Sequence, residues 1–199
     1  MFSFAVNHLA YYLLTVLLLP RLKASAPSII LNTGSDGYKL ALPRGGMRLD
    51  DLQFERPGDY WAFGAYAHSK LLNLAFTREL ARRLADPANG AAGVTTVCVH
   101  PGPVFTRIAN NNGWWVPALK TALALLFRSP REGARGLLWA ATVAPPPANG
   151  AYVVHWSGCS PYVESVSLPS EFESAERTLW EKSAALCGGA SWPINPGPH

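Results

Sequence analysis

Two residues with complementary proton chemistry, Tyr66 and Lys70, stand four positions apart in a long run of helical character. Residues at this spacing lie on one face of an α-helix, so the phenol and the ammonium point into the same space. Tyrosine is a poor acid or base at neutral pH because its ordinary pKa is about 10, and a nearby cation lowers that pKa. The pair is a candidate general acid–base, although a half-buried tyrosine beside a solvated lysine has the same spacing.

The elements that must position this pair alternate between short apolar runs and longer helical runs. Strands are predicted for the runs that begin at Ser28, Val94 and Ala151, which are apolar and rich in β-branched residues. Strands that alternate with helices form right-handed crossovers, so we expect an α/β fold with about three parallel strands and helices on both faces.

Four segments have the composition of helices, and each carries its own start or stop signal. The first is apolar nearly all round, so it is expected to be buried and to end near Pro20. The last is expected to open with a capping box at Ser170 and to run to residue 186. The predicted helices cover residues 4–22, 66–85, 130–143 and 171–186.

Three predicted strand ends carry residues suited to ligand binding. Ser35 follows the first strand, Pro101 and Gly102 follow the second, and His155 ends the third. Ligands of parallel α/β sheets bind beyond the carboxyl ends of the strands. The three strand ends are therefore expected to converge on the edge of the sheet where Tyr66 would lie.

Bulk properties exclude several other classes of protein. The chain has 199 residues, of which 49% are hydrophobic and 15% charged, with a net charge of +4, as in a folded globular protein. No basic run interleaves with aromatics, so nucleic-acid binding is not indicated, and three widely spaced cysteines form neither a disulfide framework nor a zinc motif. The apolar run over residues 9–19 is shorter than the roughly 20 residues of a membrane span, and no secretion signal precedes it.

Several short sequence motifs follow one another along the chain. They include Val6-Asn7-His8-Leu9, Tyr66-Ala67-His68-Ser69-Lys70 and Val99-His100-Pro101-Gly102. Together with Ser35 between the first two, they resemble the short-chain dehydrogenase/reductase family, and within it the retinol-dehydrogenase-like members. The resemblance implies the C-terminal, catalytic portion of a Rossmann-like doubly wound parallel sheet over residues 1–189, with a loose tail over 190–199.

The resemblance implies a role for each residue of a catalytic set. Tyr66 gives or takes the proton, Lys70 lowers its pKa, and Ser35 hydrogen-bonds the substrate oxygen. Asn7 supports a water that leads to Lys70. The implied cofactor is NADP or NAD, and no metal is implied. The residues implied at the nicotinamide and its ribose are Asn7, Tyr66, Lys70, Pro101, Gly102, Val104 and Thr106.

Simpler interpretations stand beside these roles. Asn7 alone before an apolar run is typical of a helix N-cap, and Ser35 alone is typical of a turn. Thr33 is an alternative hydroxyl near Ser35. We interpret His68 and His100 as structural, because the proton step already has a candidate residue.

The sequence departs from the family in two ways. Gly34 precedes Ser35 where a second serine is common, and the stretch from Ser35 to Tyr66 is longer than usual. No glycine-rich turn of the kind that holds a pyrophosphate at a helix N-terminus follows a strand. We therefore expect that the glycine-rich N-terminal half is absent and that the chain is a truncated product, poorly active alone.

Two functions follow as hypotheses. The first is an NAD(P)-dependent oxidoreductase of hydrophobic alcohols, aldehydes or ketones, such as retinoid, steroid or lipid carbonyls, with the Trp-rich segment 113–127 lining the substrate pocket. The alternative is a non-catalytic partner that associates with a full-length relative or another protein in a homo- or hetero-oligomer. Peripheral membrane contact through residues 114–127 is a further hypothesis, and the expected location is the cytoplasm or the cytosolic face of an internal membrane.

Overall fold

The computed structural model describes residues 2–104, 128–156 and 158–189. The first helix, α1, joins an α-helical turn Phe2–Phe4, a π-helical segment Ala5–Leu9 and an α-helix Ala10–Ala24. The expectations for Thr106, for segment 113–127 and for the tail 190–199 lie outside the described residues. The remaining elements are β1 Ser28–Thr33, α2 Ala62–Ala85, β2 Val94–His100, α3 Pro130–Thr142, β3 Tyr152–Val154, β4 Tyr162–Glu164 and α4 Phe172–Leu186, with short 3-10 helices Asp36–Leu40, Leu42–Arg44 and Pro87–Asn89.

The described strands form one sheet in the order β1-β2-β3-β4. Strand β1 pairs parallel to β2, and β2 pairs parallel to β3, so the predicted parallel core is confirmed. Strand β4 pairs antiparallel to β3, with Val153 opposite Val163. Strand β4 was not predicted, because three residues are too few to display an alternating pattern.

Helices cover both faces of the sheet, as predicted. On one face α2 packs with α1 and α4, and the rings of Tyr12, Phe76 and Trp180 contact one another between these helices. On the other face Ala140 of α3 packs against Val97 of β2 and neighbouring valines. Helix α2 therefore lies at the centre of the fold, which fixes the positions of Tyr66 and Lys70.

Two expectations for α1 are wrong. The helix continues through Pro20 to Ala24, because a proline removes only one donor from the helical ladder. Its outer side is exposed, with Leu14 58% and Leu17 60% accessible, since α2 and α4 cover only the opposite side. By length and composition the segment Ala5–Ala24 is apolar enough to cross a membrane, although Tyr12 and neighbouring residues pack into the core.

The capping box expected at the start of α4 is not formed. The residue that precedes the helix is Glu171, which makes no side-chain cap, and Ser170 contributes its backbone carbonyl to the amide of Glu173. A capping box forms instead at the start of α3, where Ser129 and Glu132 exchange side-chain and backbone hydrogen bonds. At α4 the helix starts one residue later than the box requires, so the serine hydroxyl is out of register.

Candidate active site

Tyr66 and Lys70 lie one turn apart near the start of α2, which begins at Ala62 and so four residues earlier than predicted. The Nζ atom of Lys70 is 5.8 Å from the centre of the Tyr66 ring. The same Nζ donates a hydrogen bond of 3.0 Å to the backbone carbonyl of Thr33, at the end of β1. This bond ties the lysine to the carboxyl edge of the sheet and keeps its charge beside the phenol.

Lys70 is a desolvated cation. Only 7% of the residue is exposed, and burial lowers the pKa of its ammonium. Among the described residues no carboxylate forms an ion pair with Lys70. A buried cation without a paired carboxylate interacts more strongly with nearby groups than an exposed one, because the local dielectric constant is lower. The structure therefore places a buried ammonium beside the ring of Tyr66.

Ser35 combines the two interpretations that the sequence analysis left open. Its Oγ accepts a hydrogen bond of 3.1 Å from the amide of Gly37 and so starts the short 3-10 helix, as a turn residue would. A methyl group at Gly37 would lie 3.3 Å from this Oγ and 3.5 Å from Cε1 of Tyr66, so the hydroxyl and the phenol flank the same glycine. Because Oγ is the acceptor in the turn, its own hydrogen can point to a ligand.

Asn7 lies in the π-helical segment of α1 and is not a helix N-cap. Its Nδ2 donates to Ser69 Oγ at 3.0 Å, and that hydroxyl donates to the carbonyl of Tyr66 at 2.7 Å. The side chain of Asn7 thus contacts, through Ser69, the helical turn that carries Tyr66 and Lys70. Among the described residues, the side chain of Asn7 hydrogen-bonds to Ser69 and not to Lys70.

The turn after β2 forms another wall of the site. One cleft of about 600 Å³ is bordered by Ser35, Tyr66, Lys70, Pro101, Gly102 and Val104, so the described residues of the predicted set meet there, apart from Asn7. Gly102 adopts a left-handed conformation with φ of 78°, and a Cβ at this position would lie 2.7 Å from the carbonyl of His155. Only glycine satisfies both the conformation and the close approach.

Arg128 holds this turn in place, and the sequence analysis did not identify it. Arg128 is only 5% exposed. Its Nη1 donates hydrogen bonds to the backbone carbonyls of Pro101, at 3.2 Å, and His155, at 2.6 Å. Its Nη2 lies 2.9 Å from Nε2 of His155. The guanidinium thus joins the chain after β2 to the chain after β3. No signal in the sequence indicates this role, because Arg128 precedes the N-cap Ser129 and its hydrogen-bond partners are distant along the chain.

The two histidines interpreted as structural differ in their surroundings. His68 is buried, its Nε2 accepts the amide of Arg48 at 3.2 Å, and burial lowers its pKa to about 4. His100 borders the cleft, and its ring contacts the ring of Trp156 edge-on at 5.3 Å. Within the described part of the chain, neither ring nitrogen of His100 has a hydrogen-bond partner.

The described residues fit one half of a nicotinamide dinucleotide. The cleft joins a buried ammonium, a phenol and a hydroxyl to a glycine turn that allows close approach, which suits a nicotinamide and its ribose. The turn after β1 does not suit a pyrophosphate, because it leads into a five-residue 3-10 helix and carries the carboxylate of Asp36. Phosphates are held by amides at the start of an α-helix, and a carboxylate there repels them.

Known proteins resemble this chain over nearly all of its length. Human retinol dehydrogenase 11 is 37% identical over 191 residues, which cover 92% of this chain and 52% of that protein. Dehydrogenase/reductase SDR family member 13 from Bos taurus is 38% identical over 188 residues, covering 92% of this chain and 46% of that protein. No family model matches the chain.

A solved structure also matches the fold. The crystal structure of an uncharacterized protein from Mycobacterium paratuberculosis superposes with a TM-score of 0.64 at 28% identity, over 94% of this chain and 59% of that one. The resemblance to retinol-dehydrogenase-like short-chain dehydrogenases/reductases and the Rossmann-like α/β fold are thereby confirmed. The chain spans about half the length of the curated relatives that it matches.

Proposed function

We propose that this chain, a relative of the short-chain dehydrogenases/reductases, carries the proton-transfer half of an NAD(P)-dependent oxidoreductase site. The observation that supports this proposal is the meeting of Tyr66, Lys70 and Ser35 in one cleft with the glycine turn at Gly102. The bound cofactor supplies or accepts the hydride. The protein must orient the two reactants and move one proton.

Each side chain has a task that follows from its position. In carbonyl reduction, Tyr66 Oη donates its proton to the substrate oxygen while Ser35 Oγ donates a hydrogen bond to the same oxygen, so both lone pairs are engaged. Lys70 stabilises the phenolate that remains, because its charge lies 5.8 Å from the ring and is buried. Asn7 positions the turn through Ser69, and Arg128 positions the wall that faces the nicotinamide.

The substrate that we propose is a hydrophobic alcohol, aldehyde or ketone, with NADP or NAD as cofactor. Phe63, Leu40, Val104 and Trp156 border the same cleft as Tyr66, so an apolar body finds contacts beside the reacting group. Retinoids, steroids and lipid carbonyls share this chemistry. We also propose a location at the cytosolic face of an internal membrane, with peripheral contact through residues 114–127.

A second candidate function, that of a partner for another polypeptide, is favoured by one exposed surface. The outer side of α1 and the free edge of β1 border a groove of about 350 Å³, lined by apolar residues such as Leu14, Leu18 and Ile30. Among the described strands, β1 pairs on one side only. An apolar strand edge beside an apolar helix face recruits another chain. In this candidate function the chain is an inactive partner of a full-length relative.

The experiment that tests the first function uses a small hydride donor. Reduced nicotinamide mononucleotide lacks the second phosphate and the adenosine, so it requires only the half-site that the described residues supply. We expect slow reduction of retinal by the purified chain with this donor, and a loss of at least 100-fold with Tyr66→Phe. Circular dichroism should be the same for both proteins, since only a hydroxyl is removed.

Equal turnover by Tyr66→Phe would disprove the role of Tyr66 as proton donor. Complete inactivity of both proteins, together with a stable dimer in light scattering that Leu17→Glu dissociates, would favour the partner function. The two candidate functions therefore give different results in the same pair of measurements.

A further inference from the structure

A row of aromatic rings leads from the catalytic tyrosine to the surface. The ring of Tyr66 stacks on Phe63, with centroids 6.1 Å apart and an angle of 27° between the planes. Phe63 in turn contacts Trp61 edge-on, with centroids 5.5 Å apart. We call Phe63 and Trp61 together the aromatic row. Because Tyr66 and Phe63 both border the cleft, the row starts at the reacting group and runs outwards.

The aromatic row is exposed although its residues are of the most hydrophobic kind. Trp61 is 49% exposed, Phe63 is 48% exposed, and the adjacent Tyr60 is 60% exposed. Contiguous apolar surface of this type usually marks a binding site, since rings that serve the core are buried. Because Phe63 borders the cleft and Trp61 contacts Phe63, this exposed apolar surface is continuous with the lining of the cleft.

A cation stands at the far end of the aromatic row. The guanidinium carbon of Arg44 lies 5.4 Å from the centre of the Trp61 ring, and Nη1 donates to the carbonyl of Leu40 at 2.9 Å. Arg44 also borders a small cavity of about 90 Å³ together with Trp61 and Leu40. Leu40 also borders the catalytic cleft, so the small cavity and the cleft are adjacent and share this residue in their linings.

Arg44 differs from the other arginines of the same loop in having no acidic partner. Arg48 forms ion pairs with Asp51 and Asp59, and Arg56 pairs with Asp50. Asp59 borders the small cavity, and its charge is met by Arg48. Within residues 2–104, 128–156 and 158–189, no carboxylate lies in ion-pair distance of Arg44, whose charge is therefore available to a ligand.

We propose that the substrate is an amphiphile with its reactive carbonyl at Tyr66, its apolar body on the aromatic row and a carboxylate at Arg44. The inference rests on the proposed function for the carbonyl end and adds the anionic end. An apolar chain gains from burial against Phe63 and Trp61, and a guanidinium is the side chain best suited to a carboxylate. Long-chain oxo acids have this chemistry.

The test compares two ligands that differ only in charge. The long-chain oxo acid 12-oxododecanoate and its neutral methyl ester are titrated into the purified chain by calorimetry. We expect the acid to bind about fivefold more tightly than the ester, as an exposed ion pair contributes up to about 1 kcal/mol. Arg44→Gln should make the two ligands equal, and Trp61→Ala should weaken both.

Arg131→Gln is the matched control, because Arg131 is exposed on α3 and has no ion-pair partner among the described residues. This variant should keep the preference for the acid. Equal affinity of acid and ester in the unaltered chain would overturn the proposal, as would an equal effect of Arg131→Gln. A loss of binding to phosphatidylserine vesicles in Arg44→Gln, with oxo acid binding unchanged, would also overturn it.

The result does not depend on turnover. Tyr66→Phe should keep the preference for the acid over the ester, because the substitution acts on both ligands equally and leaves Arg44 and the aromatic row in place. Failure of the catalytic proposal would thus appear in the retinal assay and leave the acid–ester comparison intact. Failure of the carboxylate site would appear only in that comparison.

Discussion

The two long helices that flank β1 contain similar leucine-rich segments but occupy opposite environments. Helix α2 is enclosed, and Leu71, Leu72 and Leu80 are fully buried in it. Helix α1 is enclosed on one side only, so that Leu19 is 3% exposed while Leu17 is 60% exposed. The enclosed region holds Tyr66 and Lys70, and the open region borders the edge of β1 that pairs with none of the described strands.

The difference between the two helices separates two requirements of the site, a buried lysine and a binding site for the cofactor phosphates. Desolvation of Lys70 requires the enclosed region, since burial is what lowers the pKa of this lysine. Cofactor phosphates require an α-helix N-terminus after a strand, and the described residues beside the open region do not supply one. Chemistry and cofactor affinity are therefore expected to respond to different substitutions.

The largest expected effect is that of Lys70→Met. This variant keeps the length and apolar stem of the side chain but removes the charge beside Tyr66. We expect turnover with reduced nicotinamide mononucleotide to fall by about 100-fold to 10,000-fold, as for loss of a group that assists proton transfer. Urea unfolding should show a free energy of unfolding within about 1 kcal/mol of the original, because a costly buried charge is removed along with its hydrogen bond.

Unchanged turnover in Lys70→Met would show that the charge of Lys70 does not assist proton transfer by Tyr66. A large loss of stability would instead assign Lys70 a mainly structural role.

The next largest effect is expected on the free energy of unfolding, for substitutions of two leucines in α1. One leucine lies on the enclosed side of this helix and the other on its exposed side. Leu19→Ala should cost about 3 kcal/mol in the free energy of unfolding, since it creates a cavity beside the rings of the core. Leu17→Ala should cost less than about 0.5 kcal/mol, because the side chain is exposed. Equal costs would show that the outer side of α1 is covered in solution, and a concentration-dependent melting temperature would then identify a second copy as the cover.

Acid should destabilise the fold through one buried histidine in each of the two helices, His8 in α1 and His68 in α2. Burial lowers the pKa of His8 to about 3 and that of His68 to about 4, so both remain neutral in the folded protein where the unfolded chain takes up protons. The stability that these groups contribute is full above about pH 6.5 and is lost progressively as the pH falls towards the folded values. Urea midpoints should therefore decrease between about pH 6.5 and 4.

His8→Gln provides the control for this loss. Glutamine retains a donor and an acceptor for Ser183, whose hydroxyl lies 2.8 Å from Nε2 of His8, but it does not titrate. The decrease of the urea midpoint with pH should be smaller in this variant. An identical decrease would show that His8 is not among the groups responsible.

The sequence predicted the parts of the fold that have strong local patterns. The runs at Ser28, Val94 and Ala151 are parallel strands, and the residues after them line one cleft, because parallel strands all end at the same edge. The exposed side of α1 was not predictable, since its apolar pattern gives no information about which neighbours are present. The same holds for the contacts of Arg128, which join residues from two distant turns.

At the site, local spacing was enough for Tyr66 and Lys70 but not for Asn7. One helical turn fixes the first pair, whereas the position of Asn7 depends on how α1 packs on α2 and on a π-helical segment that has no sequence signal. The aromatic row was missed for a related reason. Trp61 and Phe63 precede the predicted start of the helix; in the structure Phe63 lies within the four additional residues of α2, and Trp61 directly precedes them as the N-cap.

The most direct test of the account is a calorimetric titration of NADH and NADPH into the purified chain. The central proposal is that the residues described in the structure supply the proton-transfer groups but no helix N-terminus that could bind the pyrophosphate. The account predicts no saturable binding in the micromolar range for either dinucleotide and little reduction of retinal by them. Micromolar affinity together with measurable turnover in a monodisperse monomer would contradict it.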